Sequence, residues 1–183
     1  MLSENIFLEQ LLPISIQPVS GPHDPARLNR LHAEVEHFFR LMWVLDDPLK
    51  EIGEDPGNTP ALQKLDYKLS LLTDLVCLYL QYQHKSPAER LVRIDSCGIS
   101  WETRELIPIA VGAALEISLY LYPRIPRPVT LGAECVSLAA GVNNWTIQCK
   151  FSGFSAELEE LLGKLLFRFH RRDVAITRAQ KKS

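Results

Sequence analysis

Along the stretch from Pro60 to His84, apolar residues recur in a pattern that a helix sorts onto faces. Leu62, Leu65, Leu69, Leu72, Val76 and Tyr79 follow alternating steps of three and four, the heptad spacing that draws one apolar seam. A second line, Leu71, Leu75, Leu78 and Tyr82, begins partway along. At about 100° per residue it lies roughly 110° around the helix from the first. Gln63, Asp66, Ser70, Thr73, Asp74, Gln81 and His84 fill the remaining arc, so the helix offers two packing surfaces. The pattern predicts that this helix meets both its own domain and copies of itself. A long core helix in a monomeric bundle is the alternative left open by the pattern alone. Thr59 is placed to cap the helix and Pro60 suits its first position, while Pro87 forces an end.

Around this helix the period changes with position. Leu12, Ile14 and Ile16 alternate as in one strand, before the turn residues Ser20, Gly21 and Pro22. Asp24 caps a first helix with Pro25 at its start, and Leu28, Leu31, Val35, Phe38, Met42 and Leu45 repeat at steps of three and four. The polar connector DDPLKEIGEDPGNT separates the two helices. Beyond His84 the period falls to two, the sign of a sheet: a strand over Leu91–Ile94, a tight turn over Asp95–Gly98, and its return over Ile99–Glu102. Leu115, Ile117, Leu119 and Leu121 predict a further strand with one buried face, and PRIPRP must be a loop. Val129–Leu138 and Trp145–Phe151 form the next pair. Ser155 then caps a final helix whose stripe is Leu158, Leu161, Leu162, Leu165, Leu166 and Phe169, followed by a frayed tail, ITRAQKKS.

Composition narrows the function classes. The 183 residues are 46% hydrophobic, with 20 basic and 22 acidic side chains and a formal charge of -2, which points to neither a nucleic-acid polymer nor a membrane surface. No apolar run has the length of a membrane span, and the start lacks the basic n-region of a signal peptide, so a soluble cytoplasmic chain is expected. Cys77, Cys97, Cys135 and Cys149 lie far apart, as reduced and mostly buried residues do. His23, His32, His37, His84 and His170 sit in no catalytic or metal-binding motif. His32 and His37 are five apart on a helix, off a common face, and are expected to be solvated. No catalytic residue, metal or cofactor is expected.

One strand, two inserted helices, a run of antiparallel strands and a terminal helix is an unusual order. At LVRIDSCGISW the chain resembles the strand-turn-strand signature of PilZ domains, small bacterial barrels that receive cyclic di-GMP. ELIPIAVGAALEISLYL and TIQCKFSGFSAELEELLGKLLF resemble that family's later segments. The resemblance implies an α+β fold: a PilZ-like small antiparallel β-barrel with a C-terminal helix and a two-helix insertion after the first strand. Residues 1–20 and 86–172 would form the barrel with its terminal helix, 24–84 an inserted helical oligomerisation segment, and 173–183 a basic tail.

It also implies a ligand site. Family members hold cyclic di-GMP with an R-x-x-x-R pair ahead of the first strand and a [D/N]-x-S-x-x-G turn. Aligning Gly98 with the family glycine puts Arg93 at the Asp/Asn position and Asp95 at the Ser position, and no Arg precedes the first strand. Arg90, Arg93, Asp95 and Gly98 are the residues that a rebuilt site would use. The R-x-x-x-R spacing at Arg168 and Arg172 falls on the final helix, where it complements the negative helix end. The sequence therefore reads as a degenerate PilZ domain, a non-enzymatic adaptor assembling as a homotetramer in preference to a dimer through the coiled-coil-like seam, with a protein partner it does not identify. The alternative is a cyclic di-GMP receptor with a non-standard site, regulating motility, biofilm or virulence.

Overall fold

The computed structural model describes residues 7–45, 60–83, 87–104, 108–121, 127–142 and 144–180. Six strands, β1 (Leu8–Pro18), β2 (Glu89–Ile94), β3 (Gly98–Thr103), β4 (Ala114–Leu119), β5 (Val129–Ala140) and β6 (Trp145–Phe151), close into an antiparallel barrel in the order β1-β2-β3-β6-β5-β4. The first strand closes the circle because it is long enough to serve two neighbours. Its first half pairs with β2, Leu8 opposite Ile94, and its second half pairs with β4, Ile16 opposite Ile117. The alternating apolar positions turn inward, so that Leu12, Ile14, Val92, Ile94, Trp101, Leu115, Ile117, Leu131 and Ile147 form the buried interior.

Three helices accompany the barrel: α1 (Pro25–Leu45), α2 (Pro60–Gln83) and α3 (Ala156–Gln180). Asp24 Oδ1 accepts the Ala26 N–H at 3.2 Å and Ser155 Oγ accepts the Leu158 N–H at 3.3 Å, which fixes the starts of α1 and α3. The last helix runs to Gln180, so residues 176–180 of the expected frayed tail are helical, as are residues 173–175 before them. The connector 46–59 and most of the PRIPRP loop lie outside the described residues, as do Thr59 and His84.

The two inserted helices share a sequence pattern and differ in what they meet. The stripe of α1, including Leu31, Val35, Phe38 and Met42, is buried against β5 and α3. Gly132 on β5 permits this approach, since a Cβ there would collide with the Leu28 side chain. His23 Nε2 donates to the Ala133 carbonyl at 3.1 Å, and His32 Nε2 donates to the Ser152 carbonyl at 3.0 Å while its ring meets Phe154 edge-on. His32 is thus a docking residue rather than the solvated one the sequence leads one to expect. A buried backbone carbonyl at the end of β6 requires a donor, and helical spacing brings this ring to it.

A bidentate pair completes the dock. Arg27 donates to both carboxylate oxygens of Glu116 on β4, at 2.9 and 2.8 Å. The hydrogen bond from Arg27 holds the Glu116 carboxyl below its ordinary range. Its contribution to stability is therefore present above the unfolded carboxylate pKa and is lost as pH falls through the lowered folded value. With Arg27 partly in solvent, we expect Glu116→Gln to lower stability by about 0.5–1 kcal/mol at neutral pH, a difference that vanishes in acid; urea titration at the two pH values checks it.

Against expectation, α2 has no substantial packing contact with the barrel or the other helices among the described residues. The apolar stripe that packs on β5 is that of α1, while α3 packs on α1 and on β1.

Candidate ligand groove and assembly helix

On the outer wall of the barrel a groove of 640 Å³ runs across β1, β2, β3 and β6. Outward residues that the registers place side by side build its floor: Glu9 opposite Arg93, Arg93 opposite Ser100, and Ser100 opposite Gln148. Glu102 and Lys150 flank this row, and the β2–β3 turn forms one end.

The turn owes its shape to Asp95. Its carboxylate Oδ1 accepts the N–H groups of Cys97 and Gly98, at 2.8 and 2.9 Å, while its own N–H donates to the Gly98 carbonyl at 3.0 Å. Asp95 thus acts as a turn former. Gly98 is required where β3 passes β6, because a Cβ would run into the Cys149 carbonyl oxygen. The Arg93 guanidinium lies 3.7 Å over the Phe7 ring, a cation–π contact.

Of the four sequence-derived ligand residues, Arg93, Asp95 and Gly98 line the groove. Arg90 does not: it sits opposite the buried Leu12, three residues from Arg93, and the two-residue period of a strand sends these arginines to opposite faces. Glu9, Glu102 and Lys150 were legible only as polar, outward positions on strands. Their convergence depends on register. Three carboxylates, on Glu9, Asp95 and Glu102, face two cations, Arg93 and Lys150. That balance does not favour a ligand carrying two phosphates.

The second feature is α2 itself. Leu62, Leu65, Leu69, Leu71, Leu72, Leu75, Val76 and Tyr79 are 49–64% exposed, so both apolar lines remain open to solvent along the helix. The side chains of Leu78 and Tyr82, which would continue the second line, lie outside the described residues. No helix among the described residues is long and apolar enough to cross a membrane.

A six-stranded closed barrel with a tight turn between the second and third strands and a packed terminal helix defines a PilZ-type domain. The chain belongs to the family described as atypical PilZ domain, cyclic di-GMP receptor, whose model matches residues 39–179. Among solved structures it is similar to a pathogenic protein from Xanthomonas campestris, described as a tetrameric PilZ domain self-assembled via an unusual helical bundle. The identity is 22%, over 95% of this chain and 93% of that one, with a TM-score of 0.72. Likeness to YcgR of Escherichia coli in complex with cyclic di-GMP is weaker, at 15% identity and TM-score 0.40 over 52% of this chain and 40% of that one. The Bacillus subtilis inhibitor of motility MotI/DgrA stands at 15% and 0.39, over 46% and 42%. No curated protein sequence matches the chain.

Proposed function

We propose that this chain is a non-enzymatic, cytoplasmic signalling adaptor. In this reading the PilZ barrel has lost effective cyclic di-GMP binding, and α2 self-assembles into a homo-oligomer, a tetramer before a dimer, that acts through contact with a protein partner. Residues 1–20 and 86–172 are the barrel unit, 24–84 the helical insertion, with α1 as its anchored half and α2 as its assembling half, and 173–183 the basic extension.

The observation that carries the proposal is the exposure of two apolar lines on a helix that has no substantial packing contact with another element among the described residues. Burying the remaining half of each side chain supplies roughly 1 kcal/mol apiece. Eight such side chains per protomer suffice to offset an association cost of several kcal/mol. An apolar arc wider than a two-stranded seam favours three or four helices. The bundle described for the Xanthomonas campestris protein supports four. Light scattering tests the assembly.

A second reading has one observation in its favour. The groove's 640 Å³ falls within the range of small-molecule pockets, so Arg93, Asp95 and Gly98 would form a non-standard cyclic di-GMP site, with Arg90 reaching in only if β2 rearranged, and the protein would regulate motility, biofilm or virulence as a receptor. Calorimetric titration with cyclic di-GMP at modest salt separates the two, with a competent PilZ protein as control. We expect no heat. Binding at micromolar strength, abolished by Arg93→Ala, would replace the adaptor reading with the receptor reading.

A further inference from the structure

We propose that Cys135 and Cys149 are a disulfide-forming pair that staples β5 to β6 inside the barrel wall. The two residues stand directly opposite each other and both are buried, with the Cys135 thiol donating to the Ser137 carbonyl at 3.8 Å. Their register is the favourable one. The Cys135 N–H donates to the Ala113 carbonyl at 2.9 Å and its carbonyl accepts the Gly112 N–H at 2.7 Å, so both backbone groups turn away from β6. The Cys149 carbonyl is directed toward Gly98 on β3. Cys135 and Cys149 therefore face each other as a non-hydrogen-bonded pair, in which Cα atoms lie about 4.5 Å apart and side chains approach most closely. That separation is within the span a disulfide bridges.

Two surroundings give the bond a consequence. The ladder is irregular between Cys135 and Ser137, and Val136, at that irregularity, lines the groove together with Cys149. Closing the pair would pin β5 where its register shifts and stiffen that wall. The interior also suits the product, since a disulfide is uncharged and apolar among the core side chains around it.

In a reducing cytoplasm the pair stands as two thiols, and closing it needs an oxidant, for which a small-molecule disulfide such as oxidised glutathione serves. The Cys149 thiolate attacks one glutathione sulfur and expels a glutathione thiolate. The Cys135 thiolate then attacks the Cys149 sulfur and expels the second. The protein loses two protons and two electrons, and one oxidised glutathione becomes two reduced ones. Burial keeps the Cys149 thiol protonated at neutral pH, so the bond forms most readily while the chain folds.

The test uses the full chain with Cys77→Ser and Cys97→Ser, leaving only this pair, refolded in a glutathione redox buffer. The expected product is two mass units lighter, carries a peptide joining Cys135 to Cys149, keeps the native circular dichroism spectrum, and exceeds glutathione adducts by at least about tenfold. Folded chains with both thiols free, or carrying glutathione, would overturn the proposal. So would a disulfide found only in chains lacking the native spectrum. Adding Cys149→Ser is the control, and must leave Cys135 to form only the mixed disulfide.

Discussion

Replacing Leu69 and Leu72 together by Asp is expected to dissociate the protein to monomers. Both residues lie on the first apolar line of α2 and are more than half exposed within the chain, so the substitution disturbs no contact inside the barrel. In a bundle, each introduced carboxylate would be desolvated and would face like charges from the other copies. An uncompensated buried charge costs about 3–5 kcal/mol. Two per protomer cost about 6–10 kcal/mol and also remove two of the eight apolar contributions of roughly 1 kcal/mol, which leaves only about 6 kcal/mol to set against them. The helix itself should respond as well. A lone helix is marginal in water without a packed face, so the helical circular dichroism signal should fall while the fluorescence of the buried Trp101 stays unchanged. A variant that keeps the mass of the unmodified protein would show that α2 is not the assembly element.

A second large effect is expected in alkali. Burial, with a smaller contribution from neighbouring Cys135, pushes the Cys149 thiol up to about 12 from an ordinary 9.0. Below pH 9 the thiol is protonated in both the folded and the unfolded chain. As pH rises further, the unfolded chain releases this proton and the folded chain does not, so stability falls until pH reaches about 12. A separation of about three units corresponds to about 4 kcal/mol. With the protein kept fully reduced, Cys149→Ala, which removes the ionisable thiol and leaves a small void, should flatten the decline relative to the reduced unmodified chain, as read by chemical denaturation at pH 8 and about pH 11. Parallel declines in the two chains would place the alkaline sensitivity elsewhere.

Much of the fold was legible in the sequence because it rests on local periodicity. The shift from a heptad pattern over Pro60–Gln83 to alternation over Glu89–Thr103 marks the passage from helix to sheet, and the strands fall close to where the alternation put them. The different partners of the two helices were not legible. Leu31, Val35 and Phe38 carry the same spacing as Leu65, Leu69 and Leu72, and only the tertiary arrangement buries the first set and exposes the second. The docking roles of His23 and His32 were hidden for a similar reason, since their acceptors, Ala133 and Ser152, lie more than a hundred residues away.

The groove was visible in part. Gly98 and Asp95 announce a turn by residue type, and the structure gives each a steric or hydrogen-bonding reason. Glu9 and Lys150 carry no such local mark. They join Arg93 because β2 lies between β1 and β3, and β3 between β2 and β6, a circular order that no single segment encodes. Strand alternation explains why Arg90 stands apart from Arg93, and it could have been applied to the sequence before the register was known.

The most direct test of self-assembly through α2 is the solution mass of the unmodified chain, measured by light scattering behind size exclusion over a wide range of protein concentration. The account predicts a stable multimer, with four copies of the 20.8 kDa chain as the favoured mass. A monomeric mass that persists at high concentration would contradict it, and would leave the exposed lines of α2 to a different partner.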